Sequence, residues 1–191
     1  MRLRFVVLAM MVLTIVLGCA FYGRADERKV NKEVKVATME IKSNAFKQGE
    51  TIPARHTCDG DDVSPQLSWS KAPAGAKELV LICDDPDAPM GGWVHWVLYG
   101  LPPDTTGLPE GVPKQDSTAF GARQGKNDFG KIGYGGPCPP RGSTHRYFFK
   151  LYAVDKKLDL KPRATKWDAL KAMEGHILAQ GELMGRYAMR Q

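Results

Sequence analysis

Short stretches in which apolar and polar residues alternate recur along most of the chain, and this pattern predicts strands separated by turns. Apolar runs rich in Val, Ile and aromatic residues lie at 79–83, 93–101 and 145–154, and shorter alternating segments lie at 37–46 and 67–69. None of these segments exceeds ten residues, which favours strands over helices. We therefore expect a mainly β domain with few helices.

One segment near the C-terminus has helical periodicity instead. Thr165 is a favoured N-cap, and Asp168 follows three residues later, as in a capping box. Apolar residues then recur at helical spacing on one face of the segment 166–178, and we expect this face to pack into the core. The residues of this face are Trp167, Leu170, Met173 and Ile177. Gly181 would end the helix, and 182–189 predicts a final strand.

The segment between Leu101 and Lys131 is long and dense in Pro, Gly and polar residues. A loop of this length is unusual in a compact domain and often lies near a functional site. The chain of 191 residues is long enough to bury a substantial core, and its sequence contains no internal repeat and no second domain boundary. The sequence therefore predicts one folded domain.

The first 25 residues have the pattern of an export leader. A basic start precedes an apolar run at 5–17, which is too short to span a bilayer comfortably and is typical of a signal-peptide core. Gly18-Cys19 closes this run and resembles a lipobox, in which Cys19 would be lipidated. The alternatives are simple cleavage after Ala25 and an uncleaved anchor. We expect an exported protein, either periplasmic or anchored to the membrane as a lipoprotein.

The charge of the chain gives no support for nucleic-acid binding. Removal of residues 1–25 takes away three arginines and no acid, so the formal charge falls from +6 to +3. This mild excess is not concentrated in a basic tract. Residues 26–36 are charged and poor in large apolar side chains, as expected for a solvated tether before a domain at 37–191. We expect membrane contact only through the leader or its lipid.

The four cysteines occur in different contexts. Cys19 belongs to the leader, and Cys83 ends an apolar run, where a buried strand residue is expected. Cys58 and Cys138 lie in loop segments rich in Gly, Pro and Asp, and an exported protein can oxidise such cysteines. A free Cys138 near His145 could instead act as a nucleophile. The sequence has no C-x-x-C motif, which argues against a zinc ribbon or a thioredoxin-type site.

Candidate polar chemistry is concentrated around His95. This histidine lies between apolar neighbours in a predicted strand, where a polar ring needs a partner. Asp85 and Asp87 lie ten and eight residues upstream in a turn that contains two prolines, although turns also favour Asp for backbone hydrogen bonding. We expect Asp85 to accept a hydrogen bond from His95 and to hold that ring as an imidazolium.

A second group of candidate donors follows about fifty residues later. His145 and Tyr147 share one face of their predicted strand, and Arg146 points the other way. Gly135 and Gly136 precede them, and we expect their backbone amides to be open to a ligand. Such a donor-rich set suits a small anion. Neither metal-ligand spacing nor a G-x-S-x-G motif is present, so we expect no metal, no cofactor and no catalysis, with an Asp/His hydrolase as a less favoured alternative.

Two long motifs, in this order, resemble the phosphatidylethanolamine-binding protein family, and more closely its prokaryotic Raf kinase inhibitor-like members. The motifs are Asp85-Pro86-Asp87-Ala88-Pro89 with Trp93-x-His95-Trp96, and Gly133-Tyr134-x-Gly136-Pro137-x-Pro139-Pro140-x-Gly142 ending in His145-Arg146-Tyr147. Segments 58–69 and 174–178 also resemble that subgroup. The similarity extends from Thr38 to Tyr187, which is nearly the whole predicted domain.

The resemblance implies a β-rich fold with a large central antiparallel sheet, a smaller second sheet and a helix near the C-terminus. It also implies a Cys58–Cys138 disulfide and a pocket for phosphate, carboxylate or a phosphoethanolamine-like head group. The implied pocket residues are Asp85, Ala88, Pro89, Trp93, His95, Tyr134, Gly136, Pro139, Pro140, His145 and Tyr147. Trp93 and Tyr134 would line the approach. The implied function is non-catalytic binding; the alternative is an interaction protein that inhibits an enzyme, such as a protease or kinase, through the same pocket.

Overall fold

The computed structural model describes residues 36–89 and 91–189, and every structural statement below concerns these residues. The leader, Cys19 and the tether up to residue 35 lie outside them, so their assignments stay predictions. The elements are β1 (Ala37–Thr38), β2 (Ile41–Lys42), a short 3-10 helix (Ala54–His56), β3 (Leu67–Trp69), β4 (Glu78–Asp85), β5 (Trp93–Leu101), β6 (Gly107–Leu108), β7 (Arg123–Gln124), β8 (Thr144–Val154), α1 (Lys166–Met173) and β9 (Ile177–Ala188).

The strands form two sheets, and this confirms the predicted β-rich fold. The large sheet has six strands in the order β1-β9-β8-β4-β5-β7, and the small sheet has three strands in the order β2-β3-β6. The neighbours in the large sheet are antiparallel except at one edge, where β1 pairs with β9 in parallel. The segment 101–131, which we expected to be a long loop, contains the short strands β6 and β7.

Strand β4 is buried along its whole length because both faces of the large sheet are covered. Leu79, Leu81 and Cys83 pack into the core between the two sheets. Val80 and Ile82 point the opposite way into a second cluster, together with residues of α1. This double coverage explains why the sequence at this strand is a continuous apolar run rather than an alternating one.

Helix α1 begins as the sequence predicts but is shorter and faces the core differently. The Thr165 hydroxyl accepts a hydrogen bond from the Asp168 amide, and the Asp168 carboxylate accepts one from the Thr165 amide, which completes the capping box. The helix ends at Met173, and Gly175 then takes the left-handed conformation that often follows a helix. No helix within the described residues is long and apolar enough to cross a bilayer.

The prediction that Trp167 packs in the core is wrong. Its side chain is 70% exposed, whereas Ala169 and Met173 are fully buried. Positions 169 and 173 are four residues apart and share one face, and position 167 is about 200° around the helix from 169. The predicted face is therefore right at Met173 and at Leu170, which packs against the same cluster, but the buried face also includes Ala169 and excludes Trp167.

The final strand is also longer than predicted. It starts at Ile177, which pairs with Val154, so Ile177 belongs to the sheet rather than to the helix. Gly181 lies inside this strand and does not end a helix. A Cβ at Gly181 would lie 2.2 Å from the Met39 carbonyl oxygen, so glycine is required there for the close approach of the chain that follows β1.

We expect Met173→Ala to destabilise the domain far more than Trp167→Ala. The first substitution leaves a cavity beneath α1 and should lower the free energy of unfolding by about 2–5 kcal/mol. The second removes an exposed ring and should change it by less than about 0.5 kcal/mol. Urea denaturation measures the free energy of unfolding of both variants. It is monitored by far-ultraviolet circular dichroism, so that the signal does not depend on Trp167. Equal losses in the two variants would contradict this orientation of α1.

Candidate functional site

Three strand ends bring Asp85, His95 and His145 to the same end of the large sheet. Asp85 is the last residue of β4, and His95 and His145 are near the starts of β5 and β8. All three side chains are buried, with at most 7% of the residue surface exposed. Because β4 lies between β5 and β8, its end is the natural point at which groups from the other two strands meet.

Asp85 pairs with His145 and not with His95, so the predicted partner was wrong. The His145 Nδ1–H donates to Asp85 Oδ2 at 2.7 Å. The other oxygen, Oδ1, accepts hydrogen bonds from the amides of Asp87 at 2.8 Å and Ala88 at 3.1 Å. Both carboxylate oxygens are therefore engaged by the protein. Asp85 acts as a positioning residue that fixes the turn after β4 and orients the His145 ring, whose Nε2 is left for a ligand.

His95 is held by the backbone of the glycine-rich loop. Its Nδ1 donates to the Gly135 carbonyl oxygen at 2.6 Å, and the Gly135 amide donates back to the His95 carbonyl at 2.9 Å. Burial lowers the pKa of His95 below its usual value, although the charges of Asp85 and Asp128 oppose this shift. This shift argues against the predicted imidazolium in the free protein and favours a neutral ring with its proton on Nδ1, facing the Gly135 carbonyl, and a lone pair on Nε2.

A bulge in β5 sets the direction of the His95 side chain. Cys83 of β4 pairs with Trp96, but the next residue of β4 pairs with Val94, so β5 contains one extra residue at this point. Val94 packs in the cluster beneath α1, whereas Trp96 packs between the sheets, although regular alternation would place both on one face. The bulge therefore turns His95 towards the inter-sheet side, where its ring contacts Tyr147 at 5.1 Å between centroids.

A cavity of about 230 Å³ opens over the imidazole rings of His95 and His145. Eight of the eleven predicted pocket residues line it, and sequence reasoning did not select Phe129 and Cys138, which complete its wall. The lining residues are Asp85, Ala88, Pro89, Trp93, His95, Phe129, Cys138, Pro139, Pro140 and His145. Most of the wall is apolar, so the two histidines supply the ring nitrogens that a polar ligand would meet.

The remaining three predicted pocket residues lie elsewhere. Tyr147 is buried behind His95, and its hydroxyl lies beside Asp85 without a hydrogen bond of normal geometry among the described residues. Burial, and then the charge of Asp85, raise the pKa of Tyr147, so its hydroxyl stays a donor. Tyr134 and Gly136 line a neighbouring cavity, and the Tyr134 hydroxyl donates to the His56 carbonyl at 2.8 Å.

The loop amides that we expected to be open are used by the protein. The Gly136 amide donates to Asp62 Oδ1 at 2.6 Å, and the Gly135 amide is bonded to His95 as described above. A Cβ at Gly136 would also lie 2.5 Å from the His56 carbonyl oxygen, so this position serves close packing. The two glycines therefore shape the loop and position His95 rather than donate to a ligand.

An ion pair between Asp87 and Arg146 stabilises the turn that contains Ala88 and Pro89. The Arg146 guanidinium donates to Asp87 Oδ2 at 2.8 Å and to Oδ1 at 2.6 Å, and the Arg146 amide also donates to Oδ2. These hydrogen bonds lower the pKa of Asp87 to about 2. Arg146 points away from Tyr147 and His145, as strand alternation predicts, and it joins the turn to the start of β8 from outside the pocket.

Cys58 and Cys138 form the predicted disulfide, with their Cα atoms 5.4 Å apart, and Cys83 is a buried free thiol. The bond joins the loop after the 3-10 helix to the proline-rich loop that forms one wall of the cavity. Because Cys138 is bonded to Cys58, it offers no thiol nucleophile to His145 while the bond is intact.

Phe129 is the lining residue to which the sequence analysis assigned no role. It lies in the long segment before Lys131, and its ring packs edge-on against Trp93 and against His95, at 5.4 Å between centroids in each case. The neighbouring Asp128 carboxylate accepts a hydrogen bond from the Val94 amide at 2.7 Å, which fixes this loop to the start of β5. The length of the segment indicated a nearby site, but nothing in its sequence selected this ring.

The chain belongs to the phosphatidylethanolamine-binding protein family. The sequence profile described as "Phosphatidylethanolamine-binding protein" matches residues 42–188. A UPF0098 protein of Methanothermobacter thermautotrophicus is 55% identical over 149 residues, which cover 78% of this chain and 98% of the relative. A UPF0098 protein of Aquifex aeolicus is 51% identical over 153 residues, with coverage of 79% and 89%.

Two solved structures have the same fold. The phosphatidylethanolamine-binding protein homolog CT736 of Chlamydia trachomatis superposes with a TM-score of 0.73 at 44% sequence identity, covering 80% of this chain and 99% of that one. YbcL of E. coli, described as a member of the mammalian PEBP family, gives a TM-score of 0.75 at 34% identity and covers 81% of this chain and 100% of its own. The mainly β architecture inferred above is therefore shared with family members of known structure.

Proposed function

We propose that this protein is an exported, non-catalytic binding protein whose cavity holds a small anionic group, such as a phosphate, a carboxylate or a phospholipid head group. The observation that carries this proposal is the pair of buried histidines. Each Nδ1 is bonded to a protein acceptor, Gly135 O for His95 and Asp85 for His145, so both rings offer Nε2 to one cavity. The family description and the name of the CT736 structure, which refer to phosphatidylethanolamine, agree with a phosphate-bearing ligand.

The lining of the cavity supports binding without catalysis. Among the described residues that form its wall, there is no hydroxyl side chain and no free thiol, and Cys138 is in the disulfide. The disulfide and the sequence of the leader together support export.

We expect affinity for sulfate to rise as pH falls from 8 to 6. In the free protein burial holds the pKa of His95 low, so its Nε2 lone pair repels an anion until the ring takes up a proton. Sulfate carries no proton at these pH values, so the protein must supply it. Binding linked to one proton approaches about a tenfold change in affinity per pH unit. Calorimetric titration in two buffers of different ionisation enthalpy measures the affinity and the proton uptake.

Two comparisons sharpen this experiment. Hydrogen phosphate can donate its own proton to the His95 Nε2, so its affinity should depend less steeply on pH than that of sulfate. His95→Asn keeps an amide donor for Gly135 but has no titrating ring, so it should flatten the sulfate profile. Affinities that do not change with pH, or a His95→Asn variant that binds like the wild type, would count against the proposed pocket.

A second candidate function is inhibition of a partner enzyme through the same cavity. It is favoured by two aromatic side chains at the mouth, Trp93 and Phe129, which are 38% and 40% exposed and could contact a protein surface. Capture of envelope proteins on the immobilised domain, with and without phosphoethanolamine, separates the two functions. A partner released by phosphoethanolamine would support inhibition, and the absence of any competed partner would support small-ligand binding.

A further inference from the structure

A second cavity of about 270 Å³ lies beside the cavity lined by His95 and His145, which we call the anion pocket, and shares part of its wall. Phe129 and Cys138 line both cavities, so the phenyl ring and the disulfide form the partition between them. The second cavity adds polar groups that the first does not have, namely Lys114, Lys131 and Asp62. The two cavities therefore form adjoining compartments of different chemistry.

The exposed part of the Phe129 ring is an apolar surface that connects the two cavities. The Phe129 ring is 40% exposed and stands edge-on to His95, which lines the first cavity. The ring also packs against Gly135, where a Cβ would lie 2.7 Å from two ring carbons. Because the ring fills this space closely, a ligand extending out of the first cavity would pass along its exposed surface.

The second cavity has an excess of positive charge. Asp62 accepts hydrogen bonds from the Lys114 ammonium at 2.5 Å and from the Gly136 amide at 2.6 Å, so its charge is matched within the protein. Lys131 adds a further positive charge to the same wall. The backbone of Lys131 is fixed because its amide donates to the Asn127 side chain at 3.0 Å and its carbonyl accepts from the Asn127 amide at 2.9 Å.

We propose that this second cavity is a subsite for the second negative group of a ligand that carries two anionic groups joined by a short apolar linker. The inference rests on the proposed function, since the first anionic group occupies the histidine pocket. The linker lies along Phe129, and the second group reaches the Lys131 ammonium. Lys131 and Phe129 thereby select an extended dianionic ligand over a simple anion.

Matched ligand series test this proposal. The purified protein is titrated by calorimetry with alkylphosphonates and with ω-phosphonocarboxylic acids of the same chain lengths, which differ in the terminal carboxylate. We expect the carboxylate to improve affinity about fivefold at one or two chain lengths, and to have no effect when the linker is too short to pass Phe129. Lys131→Gln should abolish this gain and leave the affinity for alkylphosphonates unchanged.

The control variant is Lys126→Gln. Lys126 is an exposed lysine close to Lys131 in sequence that does not line the second cavity, so the same change in charge should leave the chain-length-dependent gain intact. An equal loss in both variants would show general charge attraction and overturn the subsite. Binding of alkylphosphonates with no carboxylate gain at any length would also overturn it, while the anion pocket would stand. Failure of methylphosphonate itself to bind would overturn the pocket and the subsite together.

Discussion

Removal of the disulfide by the double substitution Cys58→Ser and Cys138→Ser should lower the free energy of unfolding by about 4.5 kcal/mol. The two cysteines are 80 residues apart in sequence, and in the chain-entropy model a closed loop of this length constrains the unfolded chain by about that amount. Both cysteines are exposed, so the serines should add little cost of their own. For a domain of this size we expect the melting temperature to fall by about 10–18 °C.

The disulfide should affect binding less than stability. The Cys58 amide donates to the Pro137 carbonyl at 3.0 Å, so a backbone hydrogen bond still joins the two loops when the covalent bond is absent. We therefore expect weaker binding of phosphate rather than none. Scanning calorimetry with and without a reductant tests the prediction, and the double variant should show no further shift on reduction. A melting temperature within about 3 °C of the oxidised wild type would contradict it.

The large sheet could be predicted from sequence because its strands carry their own signals. Strand β5 has the predicted bounds, and β8 starts one residue before the predicted segment. Helix α1 was located by its capping box, but Trp167 was wrongly assigned to the core. An exposed Trp167 and a buried Ala169 invert the usual preference, and no local pattern reveals which face the sheet will cover.

The members of the site could be predicted from the family motifs, but their pairing could not. Regular alternation gives no sign of the bulge that redirects His95, and it cannot decide whether Asp85 meets the histidine of β5 or that of β8. The hydrogen-bond partners of Asp85 and His95 are both set by contacts between residues far apart in the sequence. The Gly136 amide is likewise bonded to Asp62, which lies more than seventy residues away, and the Gly135 amide is bonded to the His95 carbonyl, so local sequence does not reveal that neither amide is open.

Asp85→Ala should lower the free energy of unfolding by about 3–5 kcal/mol, whereas Asp85→Asn should cost markedly less. Alanine leaves the His145 Nδ1–H and the amides of Asp87 and Ala88 without their acceptor in a buried site. Asparagine keeps one oxygen for the two amides, so the turn after β4 survives. The matched control in the same turn is Asp87→Ala, which removes an exposed ion pair with Arg146 and should cost about 1 kcal/mol or less.

Asp85→Asn should also change how the pocket binds an anion. The new side-chain amide gives its oxygen to the backbone amides of Asp87 and Ala88, so its NH2 group faces His145 Nδ1 in place of a carboxylate oxygen. The charged acceptor that orients the His145 ring towards the ligand is then lost. We expect sulfate affinity to fall about tenfold, because the charge-assisted hydrogen bond that positions this ring becomes a neutral one. Calorimetry measures the affinity, and unchanged sulfate affinity in a folded Asp85→Asn variant would show that the Asp85–His145 pair does not act on the ligand.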